Sequence, residues 1–423
     1  MKESFRLALR ALVRGHVLTL LLAAVALVHA LFPAIVRADS TEAGWREMFI
    51  RAVPGFVVGV VLVVALSCAC GFFSREREKN RLALTVVRPA SAFGLAVGRW
   101  LALCLVAALA LGLNAALTFA RLSDAPDCQH HVSPILPPPV VTDRMVDEYL
   151  DEEYAPYHAT TDDEKKAIRQ DKNLRRKATI LLTSREKDRY DVVEPKKQMS
   201  WMFPVGGSCS GLTARASFSA GNPTSRSTYG KLTFGTMSAV VSNDTKAVVD
   251  IPLAGALVGA SETNLLVFAN LGKSPVLLRP RSDIELLRPA DSFLANLVRS
   301  TVQSFAVIAL LAAFGIFLSA TLSRPVAIFS ALVLLVVALM VPDTLDQFPD
   351  SLDISLGNRI GLALSRVVAS MTAAFMAPSP VADLATGRCI EWGDLARTLL
   401  EDVLFWPTVF LGLSALVVRR RPT

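Results

Sequence analysis

Long apolar runs alternate with polar stretches along the chain. A run of about 18 or more apolar residues crosses the roughly 30 Å hydrocarbon core of a bilayer as a helix, and only helices or closed barrels satisfy the backbone there. The pattern therefore predicts a polytopic α-helical membrane protein. The six predicted transmembrane helices cover residues 16–36, 53–73, 101–120, 304–322, 325–341 and 403–418.

A different pattern fills the long interval between the third and fourth predicted helices, residues 122–292. Residues 143–199 are dense in charge, with nine acidic residues in 143–164 and twelve basic ones in 165–197. Such blocks are typical of solvated helical or partly disordered segments. From about 200 to 289 the period changes to two, and turn clusters such as GNPTS and SNDT separate the bursts. This half predicts an antiparallel β-sandwich.

The distribution of basic residues predicts which segments lie on each side of the membrane. The mean hydropathy is +0.44 and the net charge is +7. The basic residues lie before the first helix, between the second and third, between the fourth and fifth, and after the sixth. The positive-inside rule places both termini in the cytoplasm, and the charge gives no reason to expect a nucleic-acid partner. We expect residues 37–52 to form a short outer loop and residues 122–292 to form an extracytoplasmic domain. The protein as a whole is expected in the plasma membrane, which in a bacterium is the inner membrane.

The predicted domains are thus three. Residues 1–121 hold the first three transmembrane helices with a loop at 74–91, residues 122–292 the β-rich domain, and residues 293–423 the last three helices. Before the sixth helix, residues 359–377 are apolar but carry Arg366 near their centre and end at PSP. Because a lone arginine at the bilayer midplane is costly, we expect a re-entrant segment at about 355–380.

The first fifteen residues have the spacing of an amphipathic helix. Arg6, Arg10 and Arg14 share one face, whereas Phe5 and Leu9 lie on another. Such a helix lies in the membrane interface with its basic stripe toward lipid headgroups. The same charges also serve as simple topogenic signals.

Enzyme signatures are missing from the sequence. The five histidines do not form the spaced pair of a zinc protease. The stretch LGKS at 271–274 resembles the end of a phosphate-binding loop, but Val267 replaces the required glycine and Pro275 prevents the following helix. We therefore predict no catalytic residue, metal or cofactor in this chain, and any ATP is bound by a partner.

A polar stretch between the second and third helices is too long for a simple turn. Residues 74–88 carry five basic and two acidic side chains. The triplet Glu76-Arg77-Glu78 opens the stretch, a proline follows Glu76 after thirteen positions, and an arginine follows that proline after ten. The positions that matter are Glu76, Arg77, Glu78, Leu82, Leu84, Pro89 and Arg99.

This spacing resembles the cytoplasmic loop of ABC-transporter permeases of the type-2 exporter family. There an acidic-basic-acidic triplet, leucines, a proline and a Gly-Lys form a coupling helix that docks on the ATP-hydrolysing subunit. The resemblance implies that Glu76, Arg77, Glu78, Leu82, Leu84 and Pro89 contact the ATPase or shape the loop, with Arg99 in place of the lysine. Asn80-Arg81 replaces the family's usual Gly-Thr.

The resemblance also implies partners and a function. The chain would be the permease subunit of an ATP-driven exporter, assembled with a second permease chain and with ATP-binding-cassette ATPase subunits. An alternative is a non-transporting membrane protein that binds a ligand or partner through its outer β-domain. A solvated loop that only sets orientation would also account for the charged stretch.

Two sets of residues carry further expectations. Cys128, Cys209 and Cys389 lie outside the predicted helices, where oxidation is allowed, and a Cys128–Cys209 disulfide is the candidate pairing. Polar side chains within the predicted helices or at their outer ends either line a substrate path or, for Asn296, Arg299 and Gln303, join the fourth helix to the β-domain. These are Asn114, Asn296, Arg299 and Gln303.

Overall fold

The computed structural model divides the chain into two compact units. One contains residues 1–128 together with the region from 291 to the C-terminus, and the other contains Gln129–Ala290. The structure describes residues 1–35, 42–78, 91–136, 141–154, 161, 166, 168–187, 190–205, 212–220, 227–235, 237–244, 248–252, 264–280, 283–333 and 380–420.

The first unit is helical. Its helices are α1 (Lys2–Arg14), α2 (Val17–Ile35), α3 (Glu42–Glu78), α4 (Ala92–Arg121), α7 (Phe293–Thr321), α8 (Arg324–Val333), α9 (Pro380–Ala385), α10 (Trp392–Thr398) and α11 (Trp406–Arg420). A π-helical turn, Leu399–Phe405, joins α10 to α11. Two further helices, α5 (Asp143–Tyr149) and α6 (Lys172–Lys187), lie in the second unit.

Four helices in the described part are long and apolar enough to cross a membrane: Gly44–Glu76, Ala92–Arg121, Phe293–Thr321 and Trp392–Arg420. The bent pair α1 and α2, which meet at 55°, supplies a fifth if it is counted as one span. The chain is therefore membrane-embedded, as its apolar runs predicted. The predicted helix at 325–341 is described only as the short α8, so six spans stay a prediction.

One detail of the predicted layout changes, whereas the boundary between α1 and α2 falls where the pattern placed it. Residues 42–52, expected in an outer loop, are helical and extend α3 to 37 residues, with Pro54 inside the helix. The boundary between α1 and α2 is a single sharp corner at Gly15-His16, where His16 has a φ of 56°. The predicted re-entrant segment at 355–380 lies outside the described residues, apart from Pro380.

Helix α7 lies at the centre of the helical unit, and most of its residues are buried. Small side chains let its neighbours approach closely. A Cβ on Gly315 would lie 2.8 Å from the Ala69 Cβ of α3, so this crossing requires glycine. The indole of Trp100 on α4 donates to the Ala309 carbonyl at 2.8 Å. The core that these helices share includes Ala69, Ala107 and Ile316.

The second unit contains the predicted β-rich region. Eleven strands of the described chain are antiparallel and form three sheets, in the orders β1-β11-β4-β8, β2-β10-β5 and β3-β9-β6-β7. The strands are β1 (Gln129–Val132), β2 (Asp191–Val193), β3 (Gln198–Phe203), β4 (Thr213–Ser217), β5 (Ser219–Ala220), β6 (Ser227–Phe234), β7 (Met237–Asp244), β8 (Val248–Pro252), β9 (Asn264–Asn270), β10 (Val276–Leu278) and β11 (Ile284–Pro289).

Period-two alternation builds the core of this unit. Alternate residues of β4 and β9 point inward, as expected for strands with one buried face. Phe218 stacks on Phe268 with ring centroids 4.6 Å apart, and Phe203, Phe234 and Leu266 fill the space around them.

The charged stretch folds as a helical hairpin. Helix α5 (Asp143–Tyr149), a π-helical turn (Leu150–Tyr154) and α6 (Lys172–Lys187) pack around a small apolar cluster. The acidic and basic blocks meet, since Arg175 donates to Asp147 and Asp143 and Arg185 donates to Glu153. Hydrogen bonding to Asp147 raises the pKa of Arg175.

Candidate functional site

The polar segment between α3 and α4 is closed at its base by an ion pair. Nη2 of Arg99, in the second turn of α4, donates to both carboxylate oxygens of Glu76, at 2.7 Å each. The Arg99 side chain is 7% exposed and that of Glu76 30%. The two helix ends that flank the segment are thus joined by a charged contact that is largely shielded from solvent.

Aromatic side chains of α3 cover the guanidinium. The Arg99 Cζ lies 4.1 Å from the ring centroid of Phe73 and 5.9 Å from that of Phe72, within the range of a cation–π contact. Nη1 of Arg99 is buried without a hydrogen-bond partner. The guanidinium is therefore held by Glu76 on one side and by the Phe73 ring.

Local sequence explains how the two ends are placed. The Ser91 side chain accepts a hydrogen bond from the Gly94 amide at 3.0 Å and so caps the start of α4. At the end of α3, the Ser74 hydroxyl donates to the Cys70 carbonyl at 2.7 Å. Arg99 thus projects from the second turn of a helix whose start is capped.

Helix α1 docks on the same end of α4. A Cβ on Gly98 would lie 2.8 Å from the Phe5 nitrogen, and one on Gly94 would lie 3.5 Å from the Met1 nitrogen. The Ser4 hydroxyl donates to the Leu95 carbonyl at 2.9 Å. Glycines four positions apart let two helices approach closely, and this spacing was a readable signal that the sequence reasoning missed.

The docking orients the amphipathic helix as the spacing predicted. Ser4, Ala8 and Leu12 are buried on one face. The three arginines Arg6, Arg10 and Arg14 are exposed on the other side. Among the three, Arg6 lies 3.9 Å from Glu3, and both side chains are largely exposed. The basic stripe is therefore available to an outside ligand or surface.

The structure places the predicted coupling residues unequally. Glu76 and Arg99 are brought together. Arg77 and Glu78 lie in the last turn of α3, but their side chains are not described. The remaining predicted residues, Leu82, Leu84 and Pro89, lie outside the described part of the chain.

A second polar cluster lies at the amino end of α7, around Asn296 and Arg299. Arg299, whose side chain is 2% exposed, donates to Asp291 and, at 2.8 Å, to the Ile390 carbonyl. Its guanidinium also lies 4.4 Å from the Trp392 ring centroid. Asn296 makes two hydrogen bonds to the same segment, donating to the Arg388 carbonyl and accepting from the Ile390 amide.

The polar side chains at the helix ends were expected either to line a substrate path or to join the fourth helix to the β-domain. The contacts described for Arg299 and Asn296 go to the segment from 388 to 392 and to Asp291, all within the helical unit. Gln303 and Asn114 each bury one side-chain oxygen without a partner. The cluster fastens the start of the last apolar helix to α7.

The disulfide prediction was wrong. Cys128 is bonded to Cys389, 261 positions away, and therefore has no sulfur left for Cys209. Cys209 itself lies outside the described residues. The bond joins the end of the segment that follows α4 to the segment that Arg299 and Asn296 hold, so three independent contacts converge on residues 388–392.

The described residues offer no group of three or more His, Cys, Asp and Glu side chains arranged to hold a metal ion. Comparisons of the chain with protein-family models, with curated proteins and with solved structures found no match. The fold and the two clusters define the chain as a membrane-embedded helical protein that carries a separate β-rich region.

Proposed function

We propose that this chain is the membrane-spanning permease subunit of an ATP-driven ABC exporter. The segment between α3 and α4 would be its coupling helix, and ATP would be hydrolysed by separate ATP-binding-cassette subunits. A second permease chain, identical or not, would complete the translocation path.

The Glu76–Arg99 pair is the observation that carries the proposal. A coupling element has to transmit a partner's movement to the helices on either side of it. A flexible loop would instead absorb the movement. Because Glu76 and Arg99 tie the end of α3 to the start of α4, a displacement of the segment between them would tilt both helices together.

The docking of α1 supports the same interpretation. Its contact with Gly94 and Gly98 lies within about one and a half helical turns of Arg99, so the proposed coupling segment, α1, α3 and α4 meet at one place. In this proposal that end faces the cytoplasm, both termini are cytoplasmic, and the β-rich region is extracytoplasmic. The full plan would include six spans and the re-entrant segment.

Purification of the full chain from its native membrane tests the proposal. We expect an ATPase subunit to copurify, and we expect Glu76→Lys and Leu84→Asp to abolish both its association and ATP-dependent transport. Glu47→Lys is the matched control, because Glu47 lies at the opposite end of α3 in a half-exposed pair with Arg51. It should leave both intact.

Two results would overturn the proposal. One is wild-type association and transport in both the Glu76→Lys and Leu84→Asp variants. The other is the absence of any ATPase from an intact preparation, which would favour the alternative of a membrane-anchored protein that binds a partner through its β-rich unit.

A further inference from the structure

Two arginines converge at the Glu76 end of the helical unit, both beside Gly71 of α3. A Cβ built on Gly71 of α3 would lie 3.4 Å from Nε of Arg75 and 3.6 Å from Nε of Arg324. The two Nε atoms are therefore within about 7 Å of each other, the sum of these distances. Gly71 has no side chain, so both Nε atoms lie beside its backbone, at ordinary contact distance from its Cβ position.

Neither guanidinium is neutralised by a described residue. No ion pair joins Arg75 or Arg324 to any acidic side chain in the described part of the chain, and Nε of Arg324 is buried without a hydrogen-bond partner. Two like charges this close repel each other, whereas a shared anion would turn the repulsion into attraction. Guanidinium groups match the geometry of phosphate oxygens.

The position of α8 adds to the positive potential. Arg324 is the first residue of α8, and Ala327 and Ala331 pack on Leu66 and Cys70 of α3. This packing holds Arg324 beside Gly71. The amino end of a helix also carries a partial positive charge, so the helix and both arginines act in the same direction.

The surroundings favour a lipid over a soluble anion. Val326 and Phe329 follow Arg324 on α8 and are 48% and 68% exposed. A ligand with a phosphate group and an acyl chain could place the first between the arginines and the second along this apolar surface. We infer that Gly71, Arg75 and Arg324 form a binding site for the headgroup of an anionic phospholipid. The inference is independent of the transport proposal.

Native mass spectrometry of the full chain, exchanged into phosphatidylglycerol or phosphatidylcholine, tests this site. We expect the wild-type chain to retain phosphatidylglycerol preferentially. Arg75→Gln/Arg324→Gln should weaken that binding about tenfold or more, since it removes two charge-assisted contacts. Lys172→Gln/Lys177→Gln removes the same charge from exposed positions of α6 in the other unit and should change binding by less than about twofold.

A second variant separates shape from charge. Gly71→Leu keeps both arginines but fills the space between them, and it should weaken phosphatidylglycerol binding as well. Gly71→Ala adds a Cβ at ordinary contact distance and should be tolerated. A folded elution profile on size exclusion accompanies each variant.

Three outcomes would overturn the inference. The first is unchanged phosphatidylglycerol binding in the Arg75/Arg324 double variant, or an equal loss in the α6 control. The second is equal binding of inorganic phosphate, which would identify a soluble anion as the ligand. The third is loss of a protein partner while lipid binding persists, which would make the arginines a protein contact.

Discussion

Arg99 and Glu76 lie 23 positions apart, yet one guanidinium nitrogen of Arg99 donates to both oxygens of the Glu76 carboxylate. The segment between them therefore begins and ends at one point of the helical unit. The composition of the charged stretch does not predict this contact between its two ends.

The Glu76–Arg99 pair should contribute to stability as well as to coupling. Removing the carboxylate leaves a guanidinium that is 7% exposed without its counter-charge. Because an unpaired buried charge is costly, we expect Glu76→Ala to lower the free energy of unfolding by roughly 3 kcal/mol. Denaturant titration in a fixed detergent would measure it.

The control for that variant is Glu47→Ala, whose pair with Arg51 is about half exposed and should be worth less than about 0.5 kcal/mol. The double variant Glu76→Ala/Arg99→Met should be more stable than Glu76→Ala, since it buries no charge. Equal losses for Glu76→Ala and Glu47→Ala would contradict the role given to the buried pair.

Gly98 should be required for the docking of α1. Gly98→Leu would force a side chain into the backbone of α1, where even a Cβ is 2.8 Å from the Phe5 nitrogen. We expect α1 to detach and its amides to lose protection from hydrogen–deuterium exchange. Gly112→Leu is the matched control, because Gly112 lies on the same helix with nothing within 4 Å of its Cβ position. Unchanged exchange in Gly98→Leu would show that α1 is not held by this contact.

The disulfide should link Cys128 to Cys389. Peptide mapping under non-reducing conditions should yield this pair, and Cys128→Ser should lower the free energy of unfolding by about 2–4 kcal/mol. Cys389→Ser should have the same effect, and the double variant should be no worse than either single one. A cross-linked peptide containing Cys128 and Cys209 would contradict the structure.

The helical hairpin of α5 and α6 should depend more on its apolar cluster than on its ion pairs. Leu150 is 1% exposed, so Leu150→Ala should cost about 2–5 kcal/mol. The Arg169–Asp151 pair is exposed to solvent, and exposed pairs contribute little and are screened by salt. Arg169→Gln should therefore shift the unfolding midpoint far less than Leu150→Ala, as followed by circular dichroism. A larger effect of Arg169→Gln would reverse this ranking.

Much of the fold could be predicted from local patterns. The apolar runs located the four long helices of the described chain, and the period-two stretches located the strands from β4 to β11, whereas β1 and β2 lie outside the predicted interval of about 200 to 289. Helix α1 was predicted by its spacing of arginines. The extension of α3 to Glu42 was missed, because residues 42–52 mix polar and apolar side chains and neither periodicity nor composition decides between a loop and a helix end.

The site was predicted only in part. A resemblance in spacing pointed to Glu76 and Arg99, but not to the bond between them. Phe73 lay unremarked inside an apolar run, where nothing distinguishes an aromatic ring that covers a charge from one that faces lipid. Cys389 was one of three cysteines outside the predicted helices, and spacing cannot select a pair among three.

The sequence by itself determined the long apolar helices and most of the strands, because burial free energy follows apolar area and each element imposes its own period. Only the tertiary structure decided which distant groups meet: Glu76 with Arg99, Ser4 with Leu95, Cys128 with Cys389, and Arg75 with Arg324 beside Gly71. These contacts depend on how whole helices pack against one another, and local sequence patterns do not specify that packing.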